Sequence, residues 1–293
     1  MSVLIYVAIP VFLITILVEL GWARRHRRDP AIKGYAARDT LASLAMGTGN
    51  VLIAAATKLV TFGLMVWVYE HRLFTLPAAW WTWVLLLFAE DLCYYAFHRA
   101  SHEIRFFWAA HVNHHSSQHY NLSTALRQSW TTPLTGPLFW LPLPLLGFPP
   151  WMVLTQQAIS LLYQYWIHTE AIGRLGWLEA IFNTPSHHRV HHGANPRYLD
   201  RNHGGIFIIW DRLFGTFEVE GERVRYGLTT NLTSHDPIHI AFHEWKQIAI
   251  DVAGAHSAGD ALRYVFGPPG WSPDGSRLTS RQLREAETAA QKL

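Results

Sequence analysis

The sequence predicts an all-α integral membrane protein with about four to five membrane-embedded helices. A cytosolic, histidine-rich helical cap is expected to hold a two-metal site. Three observations carry this. Only 15% of the 293 residues are charged and 50% are hydrophobic, whereas soluble domains carry roughly 25% charged residues. Long uncharged runs recur, near the about 20 residues that cross a bilayer. Twelve of the 18 histidines lie between residues 98 and 203.

The first run, SVLIYVAIPVFLITILV (2–18), has no basic residues before it and no small-residue cleavage site after it. It reads as an anchor rather than a signal peptide. RRHRRD (24–29) follows, and the positive-inside rule puts that cluster in the cytoplasm. The second run, NVLIAAATKLVTFGLMVWVY (50–69), is interrupted only by Lys58 and runs outward. A third, about 76–97 and opening LPAAWWTWVLLLFA, returns. Residues 98–130 are then cytoplasmic. The stretch 133–167 holds Pro133, Pro137, Pro142 and Pro144, then a Gly-Phe-Pro-Pro turn (147–150), then a cleaner apolar helix. This predicts a hairpin that dips in and returns, its first arm kinked by proline. His168 then emerges on the same face as His98, and the twelve histidines gather at one membrane surface. The chain after about residue 268 is polar and reads as a surface helix or partly disordered tail without chemistry.

The single cysteine, Cys93, rules out an intramolecular disulfide framework and any Cys-rich metal site. The net charge of +3 is small and not organised as a nucleic-acid surface.

Three histidine clusters share one design. His98 and His102 are i,i+4 and share one helix face. His111-Val-Asn-His114-His115 and His188-Arg-Val-His191-His192 each offer an i,i+3 pair, with a further histidine about 100° round the helix. One helix could so serve two neighbouring metals. Eight imidazoles exceed the four to six ligands of one ion, so two metals with about four nitrogens each is the economical reading. Neutral imidazoles add little charge, so solubility does not explain them. Imidazole suits zinc, copper, iron and nickel. A lipid-surface site favours iron handling O2, and zinc fits the same cage.

HRASHEIRFFWAAHVNHHSSQHYNLSTALRQS (98–129) and NTPSHHRVHHGANPRYLDRNHGGIFIIWDRLFGTFEVE (183–220) resemble the fatty acid hydroxylase / sterol desaturase superfamily, most closely the alkylglycerol monooxygenase branch and its bacterial relatives. The similarity covers roughly residues 40–245. It implies that His98, His102, His111, His114, His115, His188, His191 and His192 are ligands of two iron ions (Fe2+/Fe3+), with O2 as co-substrate. It also implies attack on a lipid C–H bond in a bacterial inner membrane. The branch implies an ether-lipid (alkylglycerol) substrate and a reduced pterin as donor; the wider superfamily offers sterol, fatty acyl or carotenoid hydroxylation or desaturation. With no haem or flavin fingerprint, electrons must come from a separate donor or reductase. The domains expected are an anchor and basic loop (1–39), the catalytic membrane domain (40–245) and a polar tail (246–293). One residue departs from the branch: His203 stands in RNHGG where a tyrosine is expected.

Other residues are weighed singly. His168, ending the last apolar helix, is an extra ligand or an interfacial side chain. His187 is a ligand or donates to one. Asp91, seven residues before His98, is expected to orient a ligand imidazole, with a basic partner as the alternative. Glu90 is expected to point away, at the interface. His119, Asn121, His235, His239 and His243 read as cap or surface. IIWDRLFGTF (208–217) is expected to pack the cap on the membrane surface rather than guide lipid tails. Two rivals are weaker. A histidine-lined metal carrier would place ligands mid-membrane, and a membrane metalloprotease needs His-Glu-X-X-His, which HEIRF and HEWKQ lack.

Overall fold

In the computed structural model, residues 3–30 and 32–290 are described. Residue 2 of the first apolar run, residue 31 of the N-terminal loop and residues 291–293 of the tail lie outside them. The described residues are all-helical, with no strand and two isolated β-bridges, Phe182 to Phe207 and Gly193 to Tyr226.

α1 (Val3–Arg25) and α2 (Ala37–Glu70) turn their apolar residues outward. Leu17, Leu59 and Trp67 are 66%, 82% and 59% exposed. A soluble protein rarely leaves so much contiguous apolar surface uncovered, and both helices are long and apolar enough to cross a membrane. At 34 residues, α2 is about 50 Å long, well beyond a hydrocarbon core of about 30 Å. Its surplus is the N-terminal end, where Asp39 and Ser43 are buried against the cap.

α3 (Trp80–Glu103) carries both the third apolar run and the first histidine pair on one continuous helix. Leu85, Phe88 and Leu92 face outward, while Leu86, Glu90, Asp91, Phe97 and His98 are buried. The core between α2, α3 and the hairpin is built from Met65, Leu86, Phe97, Trp140, Leu143, Phe148, Met152 and Val153. The hairpin's first arm is not one kinked helix. It is a staircase of four-residue turns, α6 (Thr132–Thr135), 137–140 and α7 (Pro142–Leu145). Each turn has a proline at its start, where the missing N–H costs nothing. Gly147, at φ +102, lies so close to Phe74 that a Cβ would meet its carbonyl at 2.2 Å, so the turn needs glycine. α8 (Pro150–Trp166) then returns, with buried Gln156, Ser160 and Gln164 one turn apart below His168.

Glu90 is a correction. It is fully buried, and Trp140 of the arm donates Nε1 to its carboxylate at 2.9 Å.

The cap comprises α4 (Arg105–Ala109), α5 (Val112–His115), α9 (Pro185–His191) and α10 (Ile209–Phe214), joined by loops, then α11 (Pro237–Ala253), α12 (Ala258–Phe266) and α13 (Ser280–Ala290). Buried Arg105 ties α4 to α11 through Glu244 at 2.7 Å and Asp251 at 2.6 Å.

Candidate metal centre

His98 and His102 lie on the inner face at the end of α3, and His168 follows α8. α5 and α9 bring in the other two clusters, each helix barely longer than one or two turns. Nine imidazoles converge in two groups. One holds His98, His102, His111, His115 and His191; the other holds His114, His168, His188 and His192. Within each group the candidate ligand nitrogens lie within 4.8 Å of one another.

The pairing differs from the i,i+3 expectation. The i,i+4 residues stay together, His111 with His115 and His188 with His192, while His114 and His191 cross to the opposite group. His111 sits at the N-cap of α5 with φ −128, so it is not on the helical spiral and its ring meets that of His115 instead.

The tautomers follow from hydrogen bonds. Nδ1 of His98, His191 and His168 faces the carbonyls of His203 (2.8 Å), Arg201 (2.9 Å) and Gln164 (2.7 Å). A carbonyl only accepts, so each Nδ1 donates and each neutral ring turns an Nε2 lone pair inward. In the first group the Nε2 atoms of His98 and His111, of His111 and His115, and of His115 and His191 meet at 3.1 Å. In the other group, His168 faces His114 at 3.1 Å and His188 at 2.9 Å. Neighbouring nitrogens around a cation bound at about 2.0–2.1 Å lie about 3 Å apart. Nε2 of His102 and of His192 has no partner at all. The donor set therefore fits two cations, one per group.

Burial first, and neighbouring histidines second, hold His111, His115, His188, His191 and His192 well below the ordinary imidazole value. At neutral pH these rings are uncharged, the form that ligates.

Asp91 is a second correction. Its carboxylate accepts from the backbone N–H of Ile206 (2.6 Å) and Phe207 (3.0 Å) and from Trp210 Nε1 (3.0 Å), not from an imidazole or a basic residue. It fixes the loop that presents the His203 carbonyl. Asp211 holds the same loop, accepting from the N–H of His203 and Gly204 at 2.7 Å each. Gly205 is required there, since a Cβ would come within 2.7 Å of Asp91 Oδ1.

The carboxylate facing a clustered imidazole is instead Asp200, 3.6 Å from His102 Nδ1. Arg284 of α13 stands 3.4 Å behind it and donates to the Leu199 carbonyl at 2.7 Å. The tail thus reaches the site, against the expectation of a tail without chemistry.

His187 stands outside both groups, its ring 5.3 Å from Phe217. One residue before His188, it points about 100° away. His119, His235, His239 and His243 are also outside the groups. His203 is fully buried, its ring 5.2 Å from His102, with neither ring nitrogen hydrogen-bonded. Sequence reasoning noticed it only as a departure. It missed Arg127, wholly buried, which donates from Nε to the Asn113 carbonyl (3.1 Å) and to Ser116 (3.0 Å) and pairs with Asp39 at 3.0 Å. That arginine pins the second cluster to the end of α2. In 208–217, Ile208 and Asp211 are buried while Leu213 and Phe214 are 69% and 47% exposed, so the segment packs on one face only.

The fatty acid hydroxylase family matches residues 83–216. The chain is 40% identical to the alkylglycerol monooxygenase of Homo sapiens over 277 residues, 92% of this chain and 60% of that one. It is 41% identical to that of Danio rerio over 276 residues, with the same shares. It is 33% identical to the ornithine lipid hydroxylase OlsE of Rhizobium tropici over 135 residues, 46% of this chain and 41% of that one. The chain thus spans 60% of the length of the two monooxygenases. No solved structure matches. The matched stretch, residues 83–216, takes in all nine clustered histidines.

Proposed function

We propose that the chain is a multi-pass membrane oxygenase that uses two irons and O2 to hydroxylate a lipid C–H bond, and that the lipid is an alkylglycerol ether. The observation that carries this is the division of nine buried, neutral imidazoles into two groups at one end of outward-facing apolar helices. In this reading α1, α2, α3 and the hairpin closing with α8 are membrane-embedded. The basic Arg24 and Arg25 at the end of α1 support a cytoplasmic histidine side by the positive-inside rule. The eight core histidines and His168 are the metal ligands.

Iron bound there would supply O2 activation and the power to oxidise an unactivated C–H bond. The chain's own residues do the rest. Backbone carbonyls of His203, Arg201 and Gln164 lock three rings with Nε2 inward, which orients them and raises their basicity. Buried Arg127 and Asp39 hold the second cluster rigid. The apolar faces of α3 and α8 exclude water and admit an alkyl tail from the bilayer side. Electrons come from a separate donor, a reduced pterin in this reading. For the ether, R–CH2–O–R′ with O2, two electrons and two protons gives a hemiacetal and water. The hemiacetal then breaks to a fatty aldehyde and the glycerol.

The test is metal analysis of the purified membrane protein, joined to mass spectrometry of an alkylglycerol incubated with it, O2 and reduced pterin. Two irons per chain and aldehyde release are expected. Iron with an acyl or sterol product would overturn the substrate; reversible zinc binding without O2 uptake would overturn the enzyme.

A further inference from the structure

Asp91 lies seven residues before His98 on α3, about 10 Å lower along the helix axis. The segment it binds must therefore lie beside the apolar stretch of α3 rather than above it. Three contacts mark the depth. The Phe207 ring stacks on Phe88 at 4.9 Å, Trp210 donates to Asp91 at 3.0 Å, and Phe214 stacks on Tyr95 at 5.3 Å. Phe88 is ten residues, about 15 Å, below His98. A second segment goes down with the first: Ile208 N–H donates to the Ile181 carbonyl at 2.9 Å, and the Phe182 and Phe207 rings lie 5.6 Å apart.

The outer face of this pair is apolar. Trp177, Ile181, Leu213 and Phe214 are 77%, 42%, 69% and 47% exposed, and Phe88 and Leu92 of α3 are exposed as well. Arg174, two residues before the stretch 176–182, and Arg212, within 206–214, are exposed and offer cations of the kind phospholipid headgroups attract.

We propose that residues 176–182 and 206–214 form a wedge embedded in the lipid leaflet on the histidine side, so that hydrocarbon rather than water covers Trp177, Ile181, Leu213 and Phe214. The proposal rests on the reading of α1 to α3 as membrane helices. It accounts for Asp91. Irregular backbone at membrane depth needs partners for its N–H groups, and a carboxylate inside a span needs donors; each answers the other. The loop that bears the wedge also carries the His203 carbonyl that holds His98. Contact with the bilayer is therefore built into the wall of the metal centre, where a lipid would leave the leaflet for the site.

The experiment uses the full chain in phosphatidylcholine nanodiscs, with Cys93→Ser as background. Nitroxide labels go on Leu213→Cys and Trp177→Cys. Leu59→Cys on α2 serves as the lipid reference, and Arg281→Cys, 81% exposed on α13, as the aqueous one. Collision rates with O2 and with a water-soluble nickel chelate are compared, metal content serving as the check that each variant is folded. Leu213 and Trp177 are expected to match Leu59, with high O2 and low nickel accessibility. If both match Arg281 while Leu59 is shielded, the wedge is overturned and the membrane reading stands. If Leu59 itself collides freely with nickel, the membrane reading falls, and the wedge with it.

Discussion

His98 donates from Nδ1 to the backbone carbonyl of His203 at 2.8 Å, across 105 residues of sequence. One inward-facing imidazole is therefore aimed by a loop, and that loop is held by two carboxylates, Asp91 and Asp211. The orientation of that ring depends on carboxylates that lie outside the histidine groups.

Replacing Asp91 by Ala strips the acceptor from two buried backbone N–H groups and an indole. Each unsatisfied buried donor costs about 1–3 kcal/mol, so a loss of about 3 kcal/mol or more is expected. Thermal denaturation of the purified protein should show it, with metal lost first from the five-histidine group. Asp91→Asn keeps one carbonyl oxygen and should fall between. Wild-type stability in Asp91→Ala would refute the role of this carboxylate in the loop.

The two groups make a sharper prediction about neighbouring residues. His111→Ala with His115→Ala removes two ligands from the same group and should leave about one metal per chain. His111→Ala with His114→Ala strikes both groups and should leave fewer. Metal analysis by mass spectrometry decides it. If the i,i+3 face were the true pairing, the two results would be exchanged.

That contrast shows what could be read in advance. The three clusters were legible because histidines three or four residues apart on a helix are a local signal, and His168 because it ends an apolar run. The division into two groups was not, since His111 sits at a helix cap, off the regular spiral. Asp91 was expected to hold a ligand imidazole or a basic residue, but its partners lie 115, 116 and 119 residues away. Glu90 likewise finds Trp140, 50 residues on. Helical periodicity reports which face a residue occupies. It cannot report what the rest of the fold brings to that face.

Asp200 is held with φ +53, a conformation that non-glycine residues seldom adopt, and its carboxylate lies between His102 and Arg284. Removing the partner of a ligand imidazole typically costs about 10–100-fold in metal affinity. Asp200→Ala should weaken one of two metals by that order. Arg284→Ala or truncation before α13, which removes only the cation behind Asp200, should weaken it by less, with Arg284→Lys restoring part of it. Competition with a chelator of known affinity measures this. Equal affinity at both sites in Arg284→Ala would show that the tail is packing alone.

Acid should unfold the metal-free protein, and the sign follows from the histidines. Burial holds them below their unfolded value of 6.5, His168 at about 4. Between the two values the unfolded chain binds more protons than the folded one, so stability rises with pH. It is fully present above about pH 6.5 and is lost as pH falls from there towards the folded values. Metal competes for the same lone pairs and binds only the folded state, so loaded protein should hold its melting temperature to lower pH than stripped protein. Melting curves of both forms from pH 8 to pH 4 test this. Coincident curves would mean that the clustered imidazoles do not hold the metal.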